Sequence, residues 1–458
     1  MTDNVIPPWL RADARAFRER VLEEMEGFEP QELAEAAVSL NRRQASHLVE
    51  RCVNLYPGTN IMSPLVTDLL GSSVASRASE GHPGGKYQTG LRWAEEAEVM
   101  AGELMRRVFG AKFAEVRALS GSMANMAVLN SLTEPGDPIF SLTTAAGAHI
   151  SHGKAGAAGY RRLDIHPIPY DPEAWRIDLD KLREEVLQVK PRMIILGASL
   201  ILFPYPVRAI RELADEVGAI LLYDAAHVAG MIAGGQWQHP LEEGAHVMTA
   251  STYKSFGGPP GGVVLTNDAD IARKADHAVF PGMTANFHTN RMAPLAVAAA
   301  EMTAFGEGYA AQCAANAQAL AAAFVRHKLV PAGEVRGYSA GHMLALDVRT
   351  MGGGKATVEA LEAAHIICNM NLLPWDTLKD LRDPSGLRLA VHEVTRWGMQ
   401  EPQMAEIAEL FRRVLVEHEP EEEVRRDVLQ LKSRYNTLHY CFEKPSPIRA
   451  FEPFLPEI

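Results

Sequence analysis

A lysine and an aspartate follow two apolar segments, in positions from which both could act on one ligand. Asp224 directly follows the apolar run 219–223, and Lys254 follows the segment 246–249. A carboxylate at one strand end and a lysine beyond a later strand are what pyridoxal phosphate (PLP) requires of a protein. The carboxylate keeps the pyridine nitrogen protonated, so the ring can accept electrons, and the lysine holds the aldehyde as a Schiff base. Either residue alone would be assigned as a surface lysine or a helix N-cap, whereas the pair favours PLP.

Three further segments could bind parts of such a cofactor or its substrate. The Ser-Gly-Ser string at 120–122 precedes a predicted helix, so its hydroxyls and N–H groups form a candidate phosphate cradle. His149 and His152 lack an acidic neighbour, so no metal site is expected, and one of the two rings could stack on a flat cofactor. Arg388 lies in an apolar strand and needs an anion, which is either a substrate carboxylate or a buried Asp or Glu.

Composition excludes several classes of function. The 458 residues are 47% hydrophobic and carry a formal net charge of −12, which argues against nonspecific binding to nucleic acid or acidic membranes. The four cysteines show no C-x-x-C spacing and fit a reducing compartment. We find neither a signal-peptide pattern nor an apolar run of about 18 residues. A cytoplasmic protein without nucleic-acid or membrane partners is therefore expected.

The order of the predicted elements indicates an α/β fold. An amphipathic helix is predicted over 9–52, and from residue 92 helices alternate with short apolar strands. The predicted strands are 116–119, 138–141, 193–196, 219–223, 246–249 and 262–265, with helices over 94–109, 182–189 and 207–217. This alternation implies right-handed crossovers, a mostly parallel sheet and ligands at the strand C-termini.

A smaller α/β lobe is expected after residue 308. A helix over 309–324 precedes predicted strands at 334–339, 342–348 and 387–391 and predicted helices over 358–367 and 402–416. The glycine-rich string at 351–356 lacks P-loop spacing and is predicted to be a flexible loop. The charged tail is expected to be a solvated helix with an extended end. The predicted domains are 1–60 (N-terminal helical segment), 61–308 (large ligand-binding domain), 309–417 (small α/β domain) and 418–458 (charged tail).

Five strings of the sequence match a known pattern. They are Glu80-Gly81-His82-Pro83-Gly84, Ser120-Gly121-Ser122-Met123-Ala124-Asn125, Ala148-His149-Ile150-Ser151-His152-Gly153, Asp224-Ala225-Ala226-His227-Val228-Ala229-Gly230 and Ser385-Gly386-Leu387-Arg388. Over roughly residues 50–415 the chain resembles the serine (glycine) hydroxymethyltransferase family. The resemblance implies a fold-type I PLP-dependent transferase, with a mostly parallel seven-stranded sheet in the large domain and a smaller C-terminal α/β domain.

The resemblance also implies which residues surround the cofactor. Lys254 would hold the PLP aldehyde, and Asp224 would pair with the pyridinium. The other contacts would come from His149 on the ring face, Ser199 and His227 at the phenolic oxygen, and Ser120, Gly121 and Ser122 at the phosphate.

On the substrate side, the resemblance assigns Arg388 to the carboxylate of a small amino acid. Glu80 would be the acid/base group at the substrate hydroxyl, reaching in from a neighbouring subunit with Tyr87 beside it. A homodimer or a dimer of dimers is therefore implied. Cleavage of the Cα–Cβ bond of a β-hydroxy amino acid needs removal of the hydroxyl proton and delocalisation of the resulting carbanion into the ring.

The sequence departs from the family pattern on the substrate and folate side. Ala78 replaces a tyrosine and thereby opens space, and Tyr87-Gln88 replaces a Tyr-Tyr pair. The family's L-I-A-S-E-N reads Leu-Tyr-Pro-Gly-Thr-Asn at 55–60. Its G-P-R-G-G reads Gly-Pro-Pro-Gly-Gly at 258–262, and its Q-G-G-P reads Thr-Ala-Asn-Phe at 284–287.

Three functions therefore stay open. The first is a hydroxymethyltransferase that acts on serine, or on an α-substituted serine, with tetrahydrofolate as possible one-carbon acceptor. The second is a folate-independent aldolase or transaldolase of the threonine or α-methylserine type. The third is a PLP-binding protein with a regulatory role, which the retention of Lys254, Asp224, Arg388 and Glu80 argues against.

Overall fold

The computed structural model describes residues 6–285 and 288–442. The chain divides into a unit that ends at Cys52 and a main unit that begins at Val53. The predicted extended end of the tail, and Asn286 and Phe287 of the 284–287 string, lie outside the described residues. In the described part of the chain, no helix combines the length and the apolar character needed to cross a membrane.

The N-terminal unit contains two helices, α1 (Ala12–Glu24) and α2 (Pro30–Ser46), followed by a short π-turn (His47–Arg51). The prediction of one helix over 9–52 is wrong. Gly27 has a φ of +83°, and Pro30, which lacks an N–H, starts the second helix, whose first turn is closed by a capping box between Glu29 and Glu32.

Helices and strands alternate along the main unit. Its helices are α3 (Pro64–Leu70), α4 (Arg92–Val108), α5 (Gly121–Leu132), α6 (Ala157–Tyr160), α7 (Leu179–Val189), α8 (Val207–Val217), α9 (Ala229–Ala233), α10 (Ala269–His277), α11 (Met292–Arg326), α12 (Gly353–Ala363), α13 (His392–Arg396), α14 (Glu401–Leu415) and α15 (Glu421–Ser433). Its strands are β1 (Val53–Asn54), β2 (Phe113–Glu115), β3 (Pro138–Ser141), β4 (Asp164–Pro167), β5 (Tyr170–Asp171), β6 (Arg176–Ile177), β7 (Met193–Gly197), β8 (Ile220–Asp224), β9 (Val247–Ser251), β10 (Gly262–Thr266), β11 (Val330–Pro331), β12 (Met343–Asp347), β13 (Ile366–Ile367), β14 (Asn369–Asn371) and β15 (Gly386–Ala390).

The large sheet has seven strands in the order β2-β10-β9-β8-β7-β3-β4. Strands β9, β8, β7, β3 and β4 are parallel, and β10 is antiparallel to both of its neighbours. The predicted mostly parallel sheet is thus confirmed. The strand predicted at 116–119 is wrong: the edge strand ends at Glu115, and only Ala118 of the following residues bonds to β10, through its carbonyl and the N–H of Gly262.

The smaller sheet has the antiparallel order β11-β12-β15-β14 and places Arg388 on a central strand. The strand predicted at 334–339 is a 3-10 turn between Gly333 and Gly337, both of which have positive φ. The loop predicted at 351–356 is also wrong, because α12 begins at Gly353. The helix predicted over 358–367 ends at Ala363, and β13 follows it.

Two helices differ from the sequence expectation in length or burial. Helix α11 runs unbroken for 35 residues, so the expected domain boundary at 308 falls inside it. Helix α15 of the charged tail is not fully solvated: it buries Val424, Val428 and Leu431 in the core of the smaller lobe.

The parallel strands bring the candidate residues to one edge of the large sheet. Gly197 and Asp224 end β7 and β8 in register with each other, and Asp224 pairs with Thr249 in the middle of β9. Gly197 has a φ of +105°, and a Cβ there would lie 2.1 Å from the carbonyl oxygen of Asp224. Only glycine allows the backbone of β7 to approach Asp224 this closely.

We expect Gly197→Ala to destabilise the protein by about 1–3 kcal/mol more than Gly218→Ala. Both glycines have positive φ, so an alanine at either position is strained in its backbone conformation. Only at Gly197 does the added Cβ also collide, because a Cβ at Gly218 has no atom within 4 Å. Urea denaturation of the two holoproteins measures the difference. Equal losses of stability would contradict the steric argument.

Candidate active site

Asp224 is the most strongly partnered carboxylate of the site. Its Oδ2 accepts hydrogen bonds from Asn125 Nδ2 at 2.7 Å and from His152 Nε2 at 3.0 Å, and its Oδ1 accepts from the N–H of Ala226 at 2.9 Å. Burial would raise the pKa of Asp224, but the bonds from His152 and Asn125 outweigh it and hold the pKa below its usual range. The carboxylate is therefore ionised at neutral pH, although it is almost fully buried.

Lys254 lies beside His227 in the same buried space. Its Nζ is 3.1 Å from His227 Nε2, and burial lowers the pKa of the lysine to about 8. Burial, with Lys254 and Arg388 adding to it, also lowers the pKa of His227 well below its usual value. His227 is thus a neutral ring whose Nδ1 is buried without a hydrogen-bond partner. A neutral lysine amine is the form that attacks an aldehyde.

The two loop histidines have different surroundings. His152 is buried against Asp224, whereas His149 is half-buried and bonds through Nδ1 to Ser151 Oγ at 2.7 Å. Burial lowers the pKa of His149 to about 4, so its ring is neutral. Of the two, His149 has the ring that is free of a carboxylate and available for stacking.

The Ser-Gly-Ser string opens helix α5, as a phosphate cradle requires. Ser120 caps the helix by accepting a hydrogen bond from the N–H of Met123 at 3.1 Å. A Cβ on Gly121 would lie 2.3 Å from Ser251 Oγ, a buried hydroxyl without a hydrogen-bond partner. Ser122 is exposed one residue further on. A helix N-terminus with adjacent hydroxyl groups suits a phosphate.

Arg388 reaches from the smaller sheet towards the large one. Its Nη1 donates to the carbonyl oxygen of Ser199 at 2.6 Å, and its Nε donates to Asn369 Oδ1 at 3.1 Å. No carboxylate of the described residues pairs with this buried guanidinium, and burial lowers its pKa to about 10. The sequence left a buried Asp or Glu open as its partner, and the described residues supply none.

Glu80 and Tyr87 lie on a separate loop. Glu80 Oε2 accepts from Gln88 Nε2 at 3.0 Å, and the Tyr87 side chain is 87% exposed. Within the described chain, no hydrogen bond or ion pair joins either residue to Lys254 or Arg388. The loop is instead fixed by Lys86, whose Nζ lies 2.6 Å from the buried carboxylate of Glu98.

The sequence alone did not predict the roles of several residues in the site. Asn125 and His152 are part of matched strings, but their hydrogen bonds to Asp224 depend on the fold. The sequence gives no indication of a role for Ser251 except that it lies three residues before Lys254. Arg291 places a buried guanidinium beside Pro260, the position at which the family pattern has an arginine. Its Nε donates to the Pro260 carbonyl oxygen at 2.5 Å, and its Nη2 lies 1.7 Å from where a Cβ of Gly261 would be.

These features fit PLP. An ionised buried carboxylate, a buried lysine of lowered pKa, a half-buried neutral imidazole and a helix N-terminus beside an unpartnered hydroxyl complement its pyridinium, aldehyde, ring face and phosphate. Asp224, Lys254, His227, His149 and Arg388 lie together. The charges of Lys254 and Arg388 act to lower the pKa values of His227 and His149, and the charge of Asp224 acts to raise those of Lys254 and His149.

Comparison with known proteins gives a consistent result. Residues 30–411 match the family model described as serine hydroxymethyltransferase. The chain is 44% identical to the serine hydroxymethyltransferase of Methanocella arvoryzae, over 84% of this chain and 90% of that one. It is 43% identical to the Thermococcus kodakarensis serine hydroxymethyltransferase, over 87% and 94% of the two chains. It is also 42% identical to an alpha-methylserine aldolase of a Ralstonia species, over 85% and 88%.

The lowered pKa of Lys254 predicts how fast the apoprotein captures PLP. An amine attacks an aldehyde only when it is unprotonated, so the rate should rise with pH and level off above about pH 8. For an ordinary exposed lysine the rise continues to about pH 10.4. Stopped-flow absorbance measures this profile.

Borohydride reduction followed by peptide mapping provides the control. We expect the label on Lys254 in the wild-type protein and in Lys181→Ala, which removes an exposed lysine, but no labelled lysine in Lys254→Ala. A label on another residue, or a rate that still rises beyond pH 10, would contradict the assignment.

Proposed function

The chain belongs to the serine hydroxymethyltransferase family of PLP-dependent enzymes, and on that premise we propose that its substrate is serine, with tetrahydrofolate as the one-carbon acceptor. Enzymes of this kind cleave or form the Cα–Cβ bond of a β-hydroxy-α-amino acid. We further propose a cytoplasmic homodimer or dimer of dimers.

The observation that carries the substrate class is the unpaired guanidinium of Arg388. Burying a cation without a carboxylate partner costs free energy, because the charge loses its hydration. The carboxylate of an amino acid would offset this cost by forming charge-assisted hydrogen bonds with the guanidinium. Two of its nitrogens are held by Ser199 and Asn369, which fixes the plane of the guanidinium. Nη2 forms no hydrogen bond within the described chain, so it can meet the substrate.

The charge states of the site residues support the roles proposed for them at the cofactor. PLP, when bound, withdraws electrons from the substrate Cα. Asp224 remains ionised and can hold a proton on the ring nitrogen, and Lys254 offers an unprotonated amine above about pH 8. His149 would cover one face of the ring, with Ser199 and His227 at the phenolic oxygen. Ser120, Gly121 and Ser122 would hold the phosphate.

Glu80 is proposed as the group that takes the proton from the substrate hydroxyl. Within the described chain Glu80 forms its side-chain hydrogen bond with Gln88 and none with Lys254, which is compatible with an action in the partner's site, with Tyr87 beside it. The buried pair between Lys86 and Glu98 would fix the loop that carries it. Such a shared site needs a two-fold symmetric dimer.

An α-methylserine aldolase is the second candidate, supported by the Ralstonia relative. The small side chain of Ala78, two residues before Glu80, leaves room that a tyrosine would fill. An enzyme of this type would release the aldehyde without a folate acceptor.

Turnover of L-serine and α-methyl-L-serine, each with and without tetrahydrofolate, separates the two candidates. We expect glycine formation from serine to depend on tetrahydrofolate. Folate-independent release of formaldehyde from α-methylserine, lost in Ala78→Tyr, would instead establish the aldolase. Absence of Cα–Cβ cleavage in every combination would contradict both candidates.

Hybrid dimers test whether Glu80 acts across the subunit interface. Glu80→Gln should lower turnover by about 10²–10⁴, because the proton acceptor is lost, and Lys254→Ala should abolish turnover. A hybrid of these two inactive chains, purified through two different tags, should regain about half of the wild-type turnover, because one of its two sites is intact.

The reciprocal hybrid is the matched control. Wild-type chain paired with a Lys254→Ala/Glu80→Gln chain should be inactive if Glu80 acts in the partner's site. If Glu80 acts within its own chain, this hybrid retains about half of the turnover, and the first hybrid stays inactive.

A further inference from the structure

Tyr56 lies beside Arg388 in a position that depends on a glycine. The centroid of its ring is 5.9 Å from the guanidinium carbon of Arg388. A Cβ on Gly58 would lie 2.5 Å from both Cζ and the hydroxyl oxygen of Tyr56, so the phenol end of the ring packs directly on the Gly58 backbone. Any larger residue at position 58 would displace the ring.

The backbone around Tyr56 is held against β15, the strand that carries Arg388. Leu55 accepts a hydrogen bond from the N–H of Ala390 at 2.8 Å, two residues after Arg388. On the same side, Asn54 accepts from the N–H of Tyr56 at 3.0 Å. Asn54 in turn donates to the buried Glu393 at 2.9 Å.

A second anchor holds the far end of the segment. His392 donates to the carbonyl oxygen of Thr59 at 2.5 Å, and Arg396 donates to that of Ile61 at 2.8 Å. Residues 54–61 are thus fastened to α13 on both sides of Tyr56 and Gly58. The backbone on both sides of the ring is therefore held by hydrogen bonds to β15 and α13.

We propose that the hydroxyl of Tyr56 is a second donor to the substrate carboxylate, beside Arg388. This proposal rests on the proposed amino-acid substrate. The side chain is half-buried, and its hydroxyl forms no hydrogen bond within the described chain. A phenol O–H adds a directed bond to a carboxylate that Arg388 already neutralises. Gly58 is the residue that makes room for it.

The test compares two ligands that differ only in the carboxylate. Glycine and glycinamide are titrated into the holoenzyme by calorimetry and by visible absorbance. Tyr56→Phe should raise the dissociation constant of glycine about tenfold or more, because a hydrogen bond to a charged group is lost, and should change that of glycinamide by less than about twofold. Gly58→Ala should reproduce this selective loss by displacing the ring. Tyr160→Phe, at an 81% exposed tyrosine, should change neither constant.

Equal weakening of both ligands, or no change for glycine in Tyr56→Phe, would overturn the proposal and leave Tyr56 as a packing residue. Glycine binding does not require bond cleavage. A selective loss of glycine binding in a protein that fails to cleave serine would therefore keep this inference and reject the proposed function.

Discussion

The site depends on keeping one carboxylate ionised inside the protein. A buried aspartate normally binds a proton, because burial disfavours its charge. Here Asn125 on helix α5, His152 on a short turn and the N–H of Ala226 just after β8 supply three hydrogen bonds to Asp224. This arrangement requires Gly197 on the neighbouring strand, because a side chain there would collide with the backbone of Asp224. The residue at the end of β7 is thus constrained by its neighbour Asp224 on β8.

Burial acts in the opposite direction on the basic groups of the site: it would raise the pKa of Asp224, but it lowers the pKa values of the lysine and the histidines. Lys254, His227 and His149 all have lowered pKa values, mainly because the buried space penalises positive charge. Arg388 also has a lowered pKa but stays charged at neutral pH, since a pKa near 10 is still high. At neutral pH the site thus holds an ionised Asp224, a charged Arg388 and two neutral imidazoles, and Lys254 loses its charge only above about pH 8. Of these two charges, Arg388 can bind the carboxylate of an amino acid, whereas Asp224 would pair with the pyridinium of the cofactor.

Much of this organisation could be predicted from the sequence, and the errors have specific causes. Apolar runs bounded by turns located most strands of the large sheet, and helix α8 was placed at its observed bounds. The helix predicted from residue 309 begins 17 residues earlier, at Met292, and its Pro294 lies in the first helical turn, where a proline costs no hydrogen bond. The matched strings identified residues close in sequence to a motif. Arg291 lies outside these strings, and Tyr56 lies in the string at 55–60 that departs from the family pattern, so only the contacts with Pro260 and with Gly58 and Arg388 point to these two residues.

Helix α11 has a mechanical consequence for the enzyme. Its first part, up to Cys313, belongs to the core under the large sheet, and the part from Ala317 onwards belongs to the core of the smaller lobe. Between them, Asn316 is buried and donates to Thr395 and Met399 at 2.9 Å each. A 35-residue helix is a rod of about 52 Å, so the two cores cannot swing apart at its midpoint without breaking that rod. Arg388 on the smaller lobe and Lys254 on the large one are thus carried by two cores that share one continuous helix, and the bond from Arg388 to Ser199 joins the two lobes at the site itself.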